Sequence, residues 1–149
     1  MANVNLPPDF KEFLKLLNAT QVEYLLIGGY AVAYHGYPRA TGDMDIWIAT
    51  HPENTRKVVE VLKEFGFDQP DLTPQLFQQK DRIIRMGMPP VRIEIATGIS
   101  GVSFGDCYAA RVVDLMDGIA VSLIDLAHLK INKRAAGRHK DLDDLDNLP

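Results

Sequence analysis

An α/β (α+β) fold, with a mixed or antiparallel sheet flanked by helices, is what this sequence predicts, and three observations carry the prediction. Apolar stretches of strand length recur at 23–27, 43–48 and 91–96, the last two with clear two-residue alternation. Helix-period segments are interspersed among them without the regular strand–helix–strand order of a purely parallel sheet. Near the end, two short strand segments are separated by Asp117-Gly118, a dipeptide that favours a tight antiparallel hairpin.

The elements follow in order. Pro7-Pro8 interrupts the chain, and Asp9 with Glu12 reads as a capping box opening a helix to about Asn18, with Phe10, Phe13, Leu14 and Leu17 at helical spacing. A strand at 23–27 runs into Gly28-Gly29, where the missing Cβ atoms permit a sharp turn and a close approach. A short helix over 30–35 follows, then a polar loop over 37–42 and the strand 43–48. His51-Pro52-Glu53 opens a helix whose buried stripe is Val58, Val61, Leu62 and Phe65, closed by Gly66. Residues 68–80 carry the weakest pattern and are expected to form a mobile loop, with one short turn at Thr73-Pro74. Strands at 82–86 and 91–96 are joined by Gly87-Met88-Pro89-Pro90. Ser103 caps a short helix to Ala110, and the hairpin 111–121 comes next. Ser122 with Asp125 reads as a second capping box, opening a helix with Leu123, Leu126, Ala127 and Leu129 that Gly137 ends or kinks. A short acidic segment closes the chain.

At 149 residues, 46% apolar and 24% charged, the composition is that of a globular protein, expected to form one domain over residues 1–149. The net charge of −4 argues against indiscriminate coating of nucleic acid but leaves room for a local basic patch. A lone Cys107 excludes an intrachain disulfide and a multi-cysteine zinc site. The first ten residues have neither the basic nor the apolar region of a secretory leader, and no apolar run approaches the roughly 18 residues of a spanning helix. A cytoplasmic protein without a membrane partner is expected.

The chemistry concentrates between Gly28 and Ile48. Alternation along 43–48 puts Met44, Ile46 and Ile48 on one face and Asp43 and Asp45 together on the other. Two adjacent carboxylates repel each other, so a fold gains nothing from aligning them. A divalent cation between them and an incoming phosphate supplies the reason. Glu94 lies mid-strand in 91–96, off the apolar face, and is a third candidate. The Gly28-Gly29 turn with its helix offers free N–H groups to an anion.

Ile27-Gly28-Gly29, a 13-residue spacer, Asp43-Met44-Asp45 and then Ile93-Glu94-Ile95 together resemble the DNA polymerase β-like nucleotidyltransferase superfamily. The loop Arg39-Ala40-Thr41-Gly42-Asp43-Met44-Asp45 and the ending through Leu129-Lys130, Gly137-Arg138, Lys140-Asp141-Leu142 and Asp144 resemble its minimal, toxin-type branch. Two departures stand out: Gly29 replaces a serine, and Glu94 replaces the more usual aspartate. The resemblance implies the nucleotidyltransferase fold and Mg²⁺- or Mn²⁺-dependent transfer of a nucleoside monophosphate from a nucleoside triphosphate to an acceptor hydroxyl, on tRNA, another RNA or a protein. It implies metal ligation and catalysis by Asp43, Asp45 and Glu94, and nucleotide binding by Gly28, Gly29, Arg39 and Thr41. Lys130 and Arg134, one helical turn apart, are expected beside the triphosphate. Lys133, Arg138 and Lys140 are expected to face outward toward an acceptor. A cognate antitoxin would be a further partner. The alternatives are a non-catalytic binding module or antitoxin partner, and a small-molecule transferase of the aminoglycoside type.

Each motif also has a plainer reading. Glu94 can simply pair with Arg92 or a neighbour, Arg39 and Thr41 can merely tie down their loop, and the basic run from Lys130 to Lys140 can be a solvated helix end complementing the dipole. His35, Tyr30, Tyr34 and Trp47 are read as packing residues, and Cys107 as inert.

Overall fold

The computed structural model describes residues 4–149, so the first three residues of the amino-terminal stretch read above lie outside it. Among the described residues a six-stranded mixed sheet runs in the order β3-β4-β2-β1-β6-β5. The strands are β1 (Tyr24–Ile27), β2 (Asp43–Ile48), β3 (Ile83–Met88), β4 (Val91–Ala96), β5 (Val112–Met116) and β6 (Ile119–Leu123). The helices are α1 (Pro8–Ala19), α2 (Gly28–Tyr34), α3 (Pro52–Phe65), α4 (Phe104–Ala109), α5 (Leu126–Ala136) and α6 (His139–Asn147). The three central pairings place the site. β1 is antiparallel to β2, β2 is parallel to β4, and β3 is antiparallel to β4.

Period-two alternation sorts the core into two layers. Leu26, Met44, Ile46, Ile48, Ile93 and Ile95 face one side, where α1 and α3 cover them with Phe10, Phe13, Leu17, Val58 and Leu62. Leu25, Trp47 and Ala96 face the other side, against Ala31 and Val32 of α2, Cys107 of α4 and Leu129 of α5. Asp43 and Asp45 therefore open on the side of α2 and α5. No helix among the described residues is long and apolar enough to cross a membrane.

Most elements fall where the periodicity puts them. His51 caps α3 by accepting from the Asn54 N–H, Gly66 ends it at φ 122°, and Ser103 caps α4. Asp117 and Gly118 both sit at positive φ, 50° and 83°, as a two-residue hairpin turn of the primed type requires. His35, half-buried, meets the Ile124 carbonyl through Nε2 at 2.7 Å. Cys107 is fully buried, and that burial pushes its thiol up to about 11, so it is inert.

Three expectations are corrected, and a segment given no element above gains one. Asp9 does not cap α1; Pro7 occupies the cap position without a side-chain bond, because Pro8 already supplies the first helical φ, and Asp9 lies inside the first turn. Residues 68–80 are not a free loop. A 3₁₀ turn at Pro74–Gln78 buries Phe77, Leu72 is buried beside it, and Gln78 donates to the Thr55 hydroxyl at 3.1 Å. Ser122 does not open α5. Ile119, Val121 and Leu123 continue the alternation of β6, and Asp125 is the cap, accepting from the His128 N–H. The acidic ending is a helix, α6, with Arg138 at its cap position and Asp141 bonding back to the Arg138 N–H.

Candidate functional site

Strand register assembles the carboxylates. Asp45 of β2 lies opposite Ile27 of β1 on one side and Glu94 of β4 on the other, and Glu94 lies opposite Arg85 of β3. One row across four strands thus reads Arg85, Glu94, Asp45, Ile27, and the next residue after Ile27 is the glycine turn. Asp43 is paired in register with Arg92, on the neighbouring row.

The glycines are required by space as well as by backbone. Gly28 sits at φ +67°, and a Cβ there would come within 2.0 Å of Asp45 Oδ2. At Gly29 a Cβ would lie 2.4 Å from Thr41 Oγ1. The departure from serine at this position is thus explained: the Thr41 hydroxyl fills the space where a serine side chain would begin.

Each carboxylate has its charge met in a different way. Arg92 donates from Nε and a terminal nitrogen to the two oxygens of Asp43, at 3.1 and 2.8 Å. Arg85 Nε donates to Glu94 at 2.7 Å. Asp45 has no arginine. Burial, then the charge of Glu94 and a hydrogen bond with it, raise its carboxyl to about 7, while Lys140 pulls the other way. Asp45 therefore keeps its proton well above the ordinary carboxylate range. Of the plainer partners read for Glu94, a neighbour holds it, Arg85, while Arg92 belongs to Asp43.

Among the described residues no group of three or more His, Cys, Asp and Glu side chains is drawn together as a metal cage. Asp43 is turned to Arg92, while Asp45 and Glu94 touch. Two hard oxygen donors in contact beside a side-chain-free turn fit a cation such as Mg²⁺ or Mn²⁺; Asp43 needs to leave Arg92 to join them.

Above the row lies a cleft of about 650 Å³ whose lining includes Gly28, Gly29, Arg39, Thr41, Asp43, Asp45 and Glu94. The far side of that lining includes Lys133, Arg138 and Lys140, and neither Lys130 nor Arg134. The expected split of the basic segment is therefore redrawn: Arg138 and Lys140 are exposed as expected, but on the cleft, while the nucleotide-side positions expected for Lys130 and Arg134 are not theirs. Lys130 reaches back to the carbonyl of Pro149, and Arg134 is exposed. Lys133 does not face outward: its side chain is 6% exposed, with Nζ 3.2 Å from Asp141 and 3.0 Å from Asp144. The helical rotation explains the swap, since Leu129, Lys133 and Ala136 stack on one face while Lys130 and Arg134, each about 100° on from Leu129 and Lys133, lie together on a neighbouring face.

The same buried cluster holds the loop before β2. Arg39 donates to both oxygens of Asp144 at 2.7 and 2.9 Å, and Arg138 donates to Asp141 at 2.7 Å. Burial alone would raise Asp141 and Asp144, but the bonds from these cations outweigh it and hold both below the ordinary carboxylate range. Arg39 is thus both a loop tie and a cleft residue. Sequence reading missed Arg85, Arg92 and Asp144 as site residues. Arg92 had a usable signal, its two-residue spacing from Glu94; Arg85 and Asp144 depend on pairings across the fold.

Solved structures with this architecture are nucleotidyltransferase folds. The Thermotoga maritima protein TM1012, a candidate nucleotidyltransferase, superposes with a TM-score of 0.64 at 16% identity, over 96% of this chain and 94% of its own. The lincosamide antibiotic adenylyltransferase LnuA, crystallised with lincomycin, superposes with a TM-score of 0.58 at 17% identity, over 97% of this chain and 96% of its own. No curated protein sequence matches. Residues 9–100, which contain the glycine turn and all three carboxylates, match the model of the aminoglycoside-2''-adenylyltransferase family, and the chain belongs to that family, within the nucleotidyltransferase superfamily.

Proposed function

We propose that the chain is a metal-dependent nucleotidyltransferase, moving a nucleoside monophosphate from a nucleoside triphosphate to an acceptor hydroxyl. The observation that carries this reading is the Asp45–Glu94 pair seated beside a glycine turn that tolerates no side chain. Asp43, Asp45 and Glu94 would hold Mg²⁺ or Mn²⁺, which when bound supplies charge neutralisation at the phosphate under attack. Gly28 and Gly29 would hold the β- and γ-phosphates through backbone N–H groups, with Arg39 and Thr41 at the edge of that cradle. The acceptor oxygen bonds to the α-phosphorus, its proton passes to Glu94, and the bond from the α-phosphorus to the bridging oxygen breaks to release pyrophosphate. Lys140, which already acts on Asp45 through its charge, takes the role of offsetting the leaving negative charge that Lys130 and Arg134 are too far round the helix to fill.

The charges of the cleft bear on the acceptor. Its lining includes five cationic side chains, Arg39, Arg85, Lys133, Arg138 and Lys140, against three acidic ones, Asp43, Asp45 and Glu94. Arg39, Lys133 and Arg138 are already paired with Asp141 and Asp144 behind the lining, and once a metal claims Asp43, Asp45 and Glu94 no lining carboxylate is left for a polycation. A neutral or anionic acceptor fits better than an aminoglycoside. RNA is the first reading of that acceptor, and it carries with it a toxin-type role and a cognate antitoxin. A small hydroxyl compound is the second, favoured by family membership.

Incubation with each α-labelled nucleoside triphosphate, Mg²⁺ or Mn²⁺, and in turn total tRNA, cell-extract protein, lincomycin and kanamycin tests both. Metal-dependent label transfer that vanishes in Asp45→Asn is expected, with kanamycin the poorest acceptor. Absence of transfer, together with no nucleotide binding, would overturn the proposal.

A further inference from the structure

Two arginines of the carboxylate rows lie outside the catalytic roles given above, and their geometry is unusual for structural ion pairs. Arg92 is the cross-strand partner of Asp43 and Arg85 that of Glu94, so each guanidinium sits on a carboxylate assigned to the metal. Both arms reach in from solvent: the Arg85 side chain is 62% exposed and that of Arg92 is 37% exposed. Their carboxylate partners are less open, Glu94 at 16% and Asp43 at 26%, and pairs with one end in solvent contribute on the order of 1 kcal/mol, little enough to be traded for another ligand. The buried pairs of the same cleft, Lys133 with Asp141 and Asp144, have no such freedom, since separating them would strand charge out of water.

We propose that Arg85 and Arg92 are exchangeable counterions. They neutralise Glu94 and Asp43 while no cation is bound, yield those carboxylates when one arrives, and then present their freed guanidinium groups to substrate phosphate. The inference rests on the nucleotidyl-transfer reading of the site. It has a consequence that reading lacks: cation and phosphate-bearing substrate bind cooperatively, because each removes one partner of the same ion pair and the other occupant claims what is left. Arg92 itself lies outside the cleft lining but holds Asp43, which lines it, and its freed guanidinium is assigned to the nucleotide. Arg85 lines the cleft on the β3 side of Glu94, away from the glycine turn, and is placed for a phosphate on the acceptor.

The test is Mn²⁺ titration of the full chain, followed by electron paramagnetic resonance, with and without a non-hydrolysable ATP analogue. Wild type binds Mn²⁺ weakly alone and more tightly with the analogue. Arg92→Ala and Arg85→Ala bind Mn²⁺ alone roughly fivefold tighter, the equilibrium equivalent of a pair worth about 1 kcal/mol. In Arg92→Ala the gain from adding the analogue shrinks. Arg92→Lys and Arg85→Lys, which keep the charge, stay near wild type. If an alanine variant gives no cooperative melt, the glutamine variant replaces it with the same expectation. Mn²⁺ affinities unchanged or weaker in both alanine or glutamine variants would overturn the counterion role while leaving the metal site standing. Mn²⁺ binding that Asp45→Asn does not diminish would overturn the site reading and this inference together.

Discussion

Two clusters of charge face each other across the cleft, and they are built to opposite specifications. On the sheet, Asp43 and Glu94 are met by arginines reaching in from solvent, and Asp45 by its contact with Glu94. On the helices, Asp141 and Asp144 are buried and locked by Lys133, Arg39 and Arg138. The helical cluster binds α5, α6 and the loop before β2 into one scaffold around the buried Lys133, Asp141 and Asp144, with only Arg138 reaching in from solvent. The sheet cluster is held by contacts weak enough to be replaced. A site that must accept a cation and a phosphate, then release pyrophosphate, needs the second kind of bonding mounted on the first.

The largest effect should come from breaking the fixed cluster. Asp144→Ala removes the carboxylate shared by Arg39 and Lys133 and leaves Lys133 buried with a weaker partner. Urea unfolding should show a loss of about 3 kcal/mol, and nucleotide binding should fall with it as the Arg39 loop comes loose. The loss should be reduced at low pH. Both aspartates have folded pKa values below their unfolded ones, so their stabilisation is present above the unfolded pKa and fades as pH falls toward the folded values.

The sheet cluster should respond with the opposite sign. Asp45 is raised from 3.8 to about 7, so the folded chain holds more protons than the unfolded one between those values, and stability declines as pH rises across that window. Asp45→Asn removes the penalty. In metal-free buffer its melting temperature should exceed wild type at pH 8, by a gain on the order of 1–2 kcal/mol, and approach wild type near pH 4. A variant that is less stable at pH 8 would mean that the pair is structural.

Gly28→Ala should fall between these in stability, costing about 1 kcal/mol or more for a side chain at positive φ, and should abolish Mn²⁺ binding because its Cβ collides with Asp45. The smallest effect should be that of Arg134→Ala. Its side chain is exposed and outside the cleft lining, so stability should move by no more than about 0.5 kcal/mol and nucleotide affinity not at all. A marked loss of nucleotide affinity would restore the orientation of α5 that the helical pattern first suggests.

What was legible in the sequence is what local periodicity determines. Asp43 and Asp45 share a face because a strand repeats every two residues, and the glycine turn and Asp117-Gly118 hairpin follow from backbone preferences acting over a few positions. The orientation of α5 was not legible. Leu126, Leu129 and Ile131 offer competing apolar stripes, and the structure leaves Ile131 43% exposed while it buries Lys133. Only the partners on α6 make that burial tolerable. The helical state of α6 was hidden for the same reason: its sequence reads as an acidic tail until Lys133 and Arg39, distant in sequence, neutralise Asp141 and Asp144. Arg85 became a site residue through the register of β3 on β4, which no single strand encodes.

The most direct test of the account is metal-dependent pyrophosphate release from a nucleoside triphosphate, measured for wild type beside Asp45→Asn with a melting curve on each. Wild type should release pyrophosphate only with Mg²⁺ or Mn²⁺ and an acceptor, and Asp45→Asn should lose that activity by orders of magnitude while melting as high or higher. An Asp45→Asn protein that releases pyrophosphate as fast as wild type would contradict the account at its centre.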